Sequence, residues 1–375
     1  MEKYPAFQTV RGWHFKWIQL RMFVNIWRVG LQLYGNPLKA WKGLQALKAH
    51  GDHVLLGRKL VKGFKVGHQY GWDMFHPLWP SPAFDKFFYH HLEEVLPSGQ
   101  PNGVMRRLLV AITKKCPLQC AHCSEWDTLN QQDVLSKMEL KDKINDLLAY
   151  GMSQIVYSGG EPLNRYADLL YLVKEFSGRT SQWIYSSGYG LTVEKAFQLK
   201  AAGLEGVAIS LDHHEAAQHN AFRGNHKSYA WVQASIQNAQ QAGLLVSVNV
   251  CPTKEYIQEA RFDQFMELMK SWEVPVVNIL EPRAVGHFAG QDVELNQAEK
   301  DYLADHFYRY NFDADYDPYP ILTYPALARK FLPCGGGVSY LLLDYDGTLR
   351  PCPFCKTPME LPKPDPKAIK ARCEA

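Results

Sequence analysis

From Arg106 onward the apolar and polar positions alternate between two periods. Short β-branched and apolar runs recur at Leu108–Thr113, Gln154–Ser158, Trp183–Ser186, Val207–Leu211, Leu245–Val250 and Val276–Leu280. The segments between them, such as Lys137–Tyr150, Thr192–Ala202 and Tyr229–Ala242, carry apolar residues at helical spacing. Six strands separated by helices predict a parallel sheet, because a parallel crossover needs a helix's length of chain. The expected fold class is α/β, an open or closed β/α barrel with its chemistry on the loops after the strand C-termini.

The first hundred residues follow a different pattern. Within Trp13–Tyr34 the polar positions Lys16, Arg21, Asn25, Arg28 and Gln32 leave a wide apolar face of Trp13, Trp17, Leu20, Phe23, Val24, Trp27 and Leu31. This predicts an amphipathic helix, broken at Gly35-Asn36-Pro37 and followed by a shorter one over Leu38–His50. Arg21 near its middle would cost about 2.5 to 3.5 kcal/mol in a bilayer core, so the membrane option open to it is to lie in the interface. The other option is that the apolar face packs on the barrel as a clamp. A third helix is expected over Phe84–Leu96, inside a stretch rich in aromatics and prolines.

Composition changes this picture little. A chain of 375 residues with a net charge of +3 suits one barrel plus appendages, and nothing global argues for nucleic acid. The basic excess is local: Glu2 is the one acidic residue before Asp52, against Lys3, Arg11, Lys16, Arg21, Arg28, Lys39, Lys42 and Lys48. Eight cysteines without a recognisable secretory leader favour a reducing cytoplasm, with possible membrane association through the N-terminal helix. No uncharged apolar run is long enough to predict a membrane span.

The candidate chemistry sits directly after the first barrel strand. Lys115–Trp126, KCPLQCAHCSEW, sets Cys116, Cys120 and Cys123 in a C-x3-C-x2-C loop. Three thiolates on so short a loop can face one inorganic cluster and leave one iron open, whereas zinc wants a fourth protein ligand, for which His122 is available. After the second strand comes Ser158-Gly159-Gly160-Glu161-Pro162, whose glycines let backbone carbonyls approach a bound ammonium. The third strand ends in Ser186-Ser187-Gly188 and the fourth in Ser210-Leu211-Asp212, followed by Arg223; Asn249 ends the fifth. Further on, Cys334 opens CGGGVSYLLLDYDGTLRPCPFC, in which Ser339–Asp344 and Thr348–Arg350 predict a hairpin turned at Asp346-Gly347. It returns Cys352 and Cys355 toward Cys334, and Cys373 follows near the C-terminus.

The cysteine loop and the GGEP turn resemble the signatures of the radical S-adenosylmethionine (SAM) enzymes, and the C-terminal cysteines resemble the auxiliary-cluster region called SPASM, or its shortened twitch form. The resemblance implies a partial (β/α)6 TIM-like barrel with an N-terminal helical extension and a small C-terminal β-hairpin region. The corresponding division is 1–104 for the N-terminal region, 105–311 for the barrel and 312–375 for the auxiliary region.

It also implies roles. Cys116, Cys120 and Cys123 would hold a 4Fe-4S cluster, and His122, Ser158, Gly159, Gly160, Glu161, Pro162, Ser187, Ser210, Asp212, Arg223 and Asn249 would surround SAM. Cys334, Cys352, Cys355 and Cys373 would hold a second iron-sulfur cluster, a zinc ribbon being the alternative for that group. The activity implied is reductive cleavage of SAM to a 5′-deoxyadenosyl radical that takes a hydrogen atom from a substrate, for oxidation or cross-linking of a peptide or protein. Oxidation of a small molecule such as a sugar, nucleotide, tetrapyrrole or lipid-linked compound is the alternative, and a non-catalytic membrane-surface adaptor is a third. The partners implied are an electron donor such as flavodoxin or ferredoxin and the substrate itself.

Overall fold

Burial of the parallel strands on both faces explains how the barrel is filled. The computed structural model describes residues 7–55, 58–99, 104–330 and 334–360. An N-terminal module contains β1 (Gln8–Arg11), α1 (Gly12–Tyr34), α2 (Pro37–Leu55), β2 (Lys62–Val66), β3 (Gln69–Gly71) and α3 (Pro82–Val95). The β/α alternation then runs through β4 (Arg107–Thr113), α4 (Lys137–Leu148), β5 (Gln154–Gly159), α5 (Tyr166–Glu175), β6 (Ser181–Ser186) and α6 (Val193–Ala202). It continues with β7 (Gly206–Ser210), α7 (Ala216–Arg223), α8 (Ser228–Gln241), β8 (Leu245–Val250), α9 (Lys254–Gln258), α10 (Phe262–Ser271) and β9 (Val276–Ile279). Last come α11 (Gln297–Phe312), β10 (Ile321–Thr323), β11 (Tyr340–Leu343) and β12 (Leu349–Arg350).

All six expected strands form, as β4 to β9, and pair in parallel in sequence order. Two further strands extend the sheet in parallel, β10 beside β9 and β11 beside β4, giving the order β10-β9-β8-β7-β6-β5-β4-β11-β12. The expected hairpin is β11–β12, turned with Gly347 at φ +84°. Both ends of the C-terminal stretch are thus built onto the barrel sheet. This is the α/β architecture that the pattern implied, in the partial-barrel form that the resemblance implied.

Successive strand residues face opposite sides. Leu108, Val110 and Ile112 of β4 pack outward against helix residues such as Leu140 and Ile144. Leu109 and Ala111 point inward, where they meet Val156, Trp183, Ala208, Leu245 and Val276 from the other strands. That inner core is completed by Phe64, Met74 and Leu78 of the N-terminal module, all buried. Gln154, the first residue of β5, donates from Nε2 to the Met74 carbonyl at 2.9 Å, and Arg107, the first of β4, donates to the Phe75 carbonyl. The module therefore plugs the barrel at its strand N-termini.

The three expected N-terminal helices form. Ser81 caps α3 by accepting from the Phe84 N–H at 3.1 Å, with Pro82 in the first turn, and Gly35 at φ +61° ends α1. The clamp expectation for α1 is corrected in one respect. The helix packs against α3 and Trp79 through Ile18, Met22, Val29 and Leu33, with Phe15 buried beside Gly63 of β2, while Trp13, Trp17, Leu20, Phe23, Val24 and Trp27 stay exposed. The buried residues recur at helical spacing as the exposed ones do, so α1 is apolar on two sides and the local pattern could not say which one packs.

Candidate functional site at the strand C-termini

A cavity of about 280 Å³ opens where β4 to β9 end. Its lining brings together Cys116, Cys120, His122, Cys123, Ser158, Gly159, Gly160, Ser187, Ser210, Asp212, Arg223 and Asn249, residues spread over more than a hundred positions of sequence. Glu161 and Pro162 are buried but do not line it. Pro353 and Phe354, between Cys352 and Cys355, form part of the opposite wall.

The cysteine loop is shaped by backbone hydrogen bonds to distant segments. Asn130, held at φ +63°, accepts from the Cys116 N–H at 2.9 Å through its side chain and donates its own N–H to Lys114 O at 2.8 Å. The Gln119 and Ala121 N–H groups donate to the carbonyls of Arg223 and Phe222 at the end of α7, at 3.2 and 2.9 Å. On the other side, the His287 ring Nδ1 lies 2.9 Å from the Cys120 carbonyl, the His287 backbone N–H donates to the Cys123 carbonyl at 3.0 Å, and the imidazole stacks on Trp126 at 3.8 Å. Gly286 passes so close to Cys123 O that a Cβ there would lie 2.2 Å from it.

The GGEP turn presses against the same loop. A Cβ on Gly159, at φ +135°, would sit 2.1 Å from Thr113 O, and one on Gly160 would sit 2.5 Å from Lys115 O, so neither position admits a side chain. Glu161 turns away from the cavity: its carboxylate accepts from Ser187 N and Oγ at 2.8 and 2.6 Å, from Ser186 Oγ at 3.0 Å and from Leu163 N at 3.1 Å. Burial pushes its pKa up, against the pull of those donors. Glu161 therefore ties the β5 turn to the β6 turn and holds the lining in place from behind.

Opposite these turns is a buried charge pair. Arg223 Nε donates to Asp212 Oδ2 at 2.6 Å, and Arg223 Nη1 lies 3.6 Å from Cys120 Sγ. Burial alone would raise the Asp212 pKa, but the Arg223 guanidinium, its hydrogen bond and the nearby His122 and His219 rings together outweigh it and hold the carboxyl below its usual range. Asp212 Oδ1 also accepts from the Cys251 N–H at 3.1 Å, and its N–H donates to His219 Nδ1 at 3.2 Å. His122 stacks on Phe222 at 4.7 Å and keeps a buried Nδ1 with no hydrogen-bond partner, a polar atom on the cavity wall that a ligand could satisfy.

Burial pushes the Cys116 thiol up to about 12 and the Cys123 thiol up to about 11, and the neighbouring thiols push the same way. As bare side chains they are protonated, and a metal that binds them must release those protons. Among the described residues, no three His, Cys, Asp or Glu side chains form a group fit for a single metal ion. Zinc would need sulfurs about 2.3 Å from one centre, whereas three thiols sharing a cavity wall suit a larger inorganic body. The donor set, the glycine turn that lines the cavity beside it and the orphaned His122 nitrogen together fit a cluster with an adjoining ligand.

A second thiol group lies behind Pro353 and Phe354. Cys352 and Cys355 face each other across an isolated antiparallel bridge, and burial raises the Cys352 thiol with Cys334 and Cys355 adding to the effect. Cys373 lies outside the described residues. The two thiol-bearing regions are joined by Lys114, which is fully buried and paired with Glu125 of the cysteine loop and with Asp344 of the hairpin, the latter at 2.7 Å. Lys356 reaches back as well, donating to Ser124 O at 2.8 Å.

Sequence reasoning missed several of these residues. Trp126, Phe222 and His287 support the loop through contacts that leave no local pattern. Glu281 and Arg283 line the cavity directly after β9, where the rule that locates chemistry at strand C-termini would have found them.

Comparison with known proteins agrees with this geometry. Residues 110–269 match the radical SAM superfamily. Over 167 residues the chain is 29% identical to the AdoMet-dependent heme synthase of Oleidesulfovibrio alaskensis, an alignment covering 44% of this chain and 42% of that protein. The chain thus matches less than half the length of that curated relative. Its fold is similar to that of Streptococcus suis SuiB bound to precursor peptide SuiA, with a TM-score of 0.55 at 11% identity over 72% of this chain and 64% of that one. It is also similar to anSMEcpe with bound AdoMet, with a TM-score of 0.52 at 15% identity over 67% of this chain and 76% of that one. Residues 110–269 thus carry a domain of the radical SAM class. That class implies a 4Fe-4S cluster and S-adenosylmethionine.

Proposed function

We propose that Cys116, Cys120 and Cys123 ligate the 4Fe-4S cluster and that the chain oxidises a substrate by hydrogen abstraction. The observation that carries this reading is the convergence, on one cavity, of the three-thiol loop, the GGEP turn and the loop between Cys352 and Cys355. When bound, the cluster and SAM supply an electron and a sulfonium, whose reductive cleavage yields methionine and a radical able to take a substrate hydrogen.

The protein's own residues do the rest. The tight turn at Gly159 and Gly160 offers backbone carbonyls to the SAM ammonium, and Ser158, Ser187, Ser210 and Asn249 offer polar contacts to its ribose and carboxylate. Arg223, fixed by Asp212, adds a cation for the carboxylate. His122 presents a ring face and an unpaired nitrogen to the nucleoside. Leu280, Val250 and Phe354 exclude water from the cavity wall.

The second group, Cys334, Cys352 and Cys355 with Cys373 as the fourth candidate ligand, holds an auxiliary cluster in this proposal. Its place beside the cavity suits an acceptor of the electron left on the substrate, so oxidation is the favoured outcome. A peptide or protein is the substrate class proposed, and flavodoxin or ferredoxin the electron donor. Oxidation of a tetrapyrrole is a second reading, favoured by the relative named a heme synthase. The test is 5′-deoxyadenosine release by the anaerobically reconstituted, reduced protein with and without candidate peptides and porphyrinogens. Stimulation by one class together with a matching oxidised product assigns the substrate. A second thiol group that binds only zinc in a variant lacking the three barrel cysteines would remove the auxiliary cluster from the proposal.

A further inference from the structure

The N-terminal module leaves an apolar ridge that neither the barrel nor the cavity uses. Successive helical residues turn by about 100°, which places Trp13, Trp17, Leu20, Val24 and Leu31 roughly opposite the packed residues Phe15, Ile18, Met22, Val29 and Leu33. Trp13 is 85% exposed, Trp17 59% and Val24 54%. The ridge continues onto α2, where Leu38 is 76% exposed and Trp41 meets Phe23 edge to face at 6.2 Å. Of the fifteen exposed large hydrophobic residues among those described, eight lie on these two helices, and four of the eight are tryptophans. Scattered apolar residues would need no explanation, but a continuous Trp-rich ridge does.

Its charge says what covers it. Lys16, Arg21, Arg28 and Lys42 are exposed on the same two helices, and between residues 7 and 51 there is no aspartate or glutamate. Arg28 is tied to Asp85 of α3 at 2.7 Å, Arg21 lies over the Trp79 ring at 5.2 Å and Lys16 over the Trp13 ring at 4.9 Å. A second copy of the chain docked on this face by a two-fold axis would set lysines and arginines against their own kind, since the one acid on either helix, Asp52 near the end of α2, is already paired with Lys48 at 3.2 Å. An anionic lipid surface supplies the missing charge, and indole rings favour the boundary between headgroups and acyl chains. No helix among the described residues is long and apolar enough to cross a membrane, so α1 would lie along the surface.

We propose that α1 and α2 dock the protein on an anionic lipid surface, with Trp13, Trp17, Leu20, Val24, Trp27 and Trp41 entering the interface and Lys16, Arg21 and Lys42 meeting the headgroups. None of these residues lines the cavity. The module that carries them closes the opposite end of the barrel, so docking leaves the cavity wall untouched. The inference is independent of the chemistry proposed for that cavity.

Flotation of the full chain with vesicles tests it. The protein should float with phosphatidylcholine vesicles containing about one-third phosphatidylglycerol at about 50 mM salt, and binding should weaken ~10-fold at about 500 mM as the charges are screened. Trp17→Glu with Leu20→Glu should abolish flotation while thermal unfolding and SAM cleavage stay as in the wild type. Should that variant fold poorly, Lys16→Ala with Lys42→Ala should still weaken anionic binding. A wild-type protein that ignores anionic vesicles, or binds neutral ones equally well at both salt concentrations, overturns the proposal. So does a concentration-dependent dimer that the Trp17 and Leu20 substitutions dissolve without any vesicle binding, since a second copy would then cover the ridge.

Discussion

The two ends of the barrel are built on opposite principles. At the strand N-termini, Phe64, Met74 and Leu78 fill the interior with apolar volume, and Gln154 and Arg107 donate to the Met74 and Phe75 carbonyls. At the strand C-termini the same sheet surrounds a cavity whose wall holds Asp212, Arg223 and three thiols, with Glu161 buried behind it. One end contributes packing energy. The other spends some of it on desolvated charge and on a glycine turn pressed against the cysteine loop. A barrel that must keep a reactive site open needs its rigidity elsewhere, and the plug supplies it.

Substitutions at the two ends should therefore fail in different ways. The largest combined effect is expected for Asp212→Asn, which leaves Arg223 buried without its counter-charge. Stability should drop by about 3–5 kcal/mol, and SAM cleavage per folded molecule should fall on the order of 100-fold, because Arg223 no longer holds its place beside Cys120. Urea unfolding and 5′-deoxyadenosine yield measure the two losses separately. A variant that loses stability but cleaves SAM normally would mean that the pair is only structural.

Phe64→Ala comes next. Deleting a ring that is 1% exposed should cost about 3–5 kcal/mol through the cavity it leaves. Cleavage per folded molecule should be unchanged. If cleavage fell with stability kept, the two ends would not be separate devices. The smallest effect is expected on the module's surface. The Arg28–Asp85 bridge joins side chains that are 59% and 35% exposed, so Arg28→Ala should shift stability by no more than about 0.5 kcal/mol, within reach of thermal melts in low and high salt.

The same contrast explains what could be read from the sequence. The six central strands were legible because each is a short β-branched and apolar run separated from the next by helical spacing. The cysteine loop and GGEP turn were legible because their spacing is local. β10 was harder, since a strand of three residues carries little pattern; β11 was legible as a strand of the hairpin, but only pairing with β4 reveals its place in the sheet. The packed side of α1 was not legible, because both of its sides are apolar. The inward turn of Glu161 depends on Ser186 and Ser187, some 25 residues away, and the grip of His287 on Cys120 spans 167 residues, so neither leaves a local trace.

The central claim is that Cys116, Cys120 and Cys123 form the working cluster site of this cavity, while Cys334, Cys352 and Cys355 serve a separate one. Its most direct test is 5′-deoxyadenosine formation from SAM by anaerobically reconstituted, reduced protein, with iron content measured on the same samples. The wild type should form 5′-deoxyadenosine. Cys116→Ala, Cys120→Ala and Cys123→Ala should each reduce it to background while retaining part of the iron. Formation at the wild-type rate by any of the three variants would contradict the account.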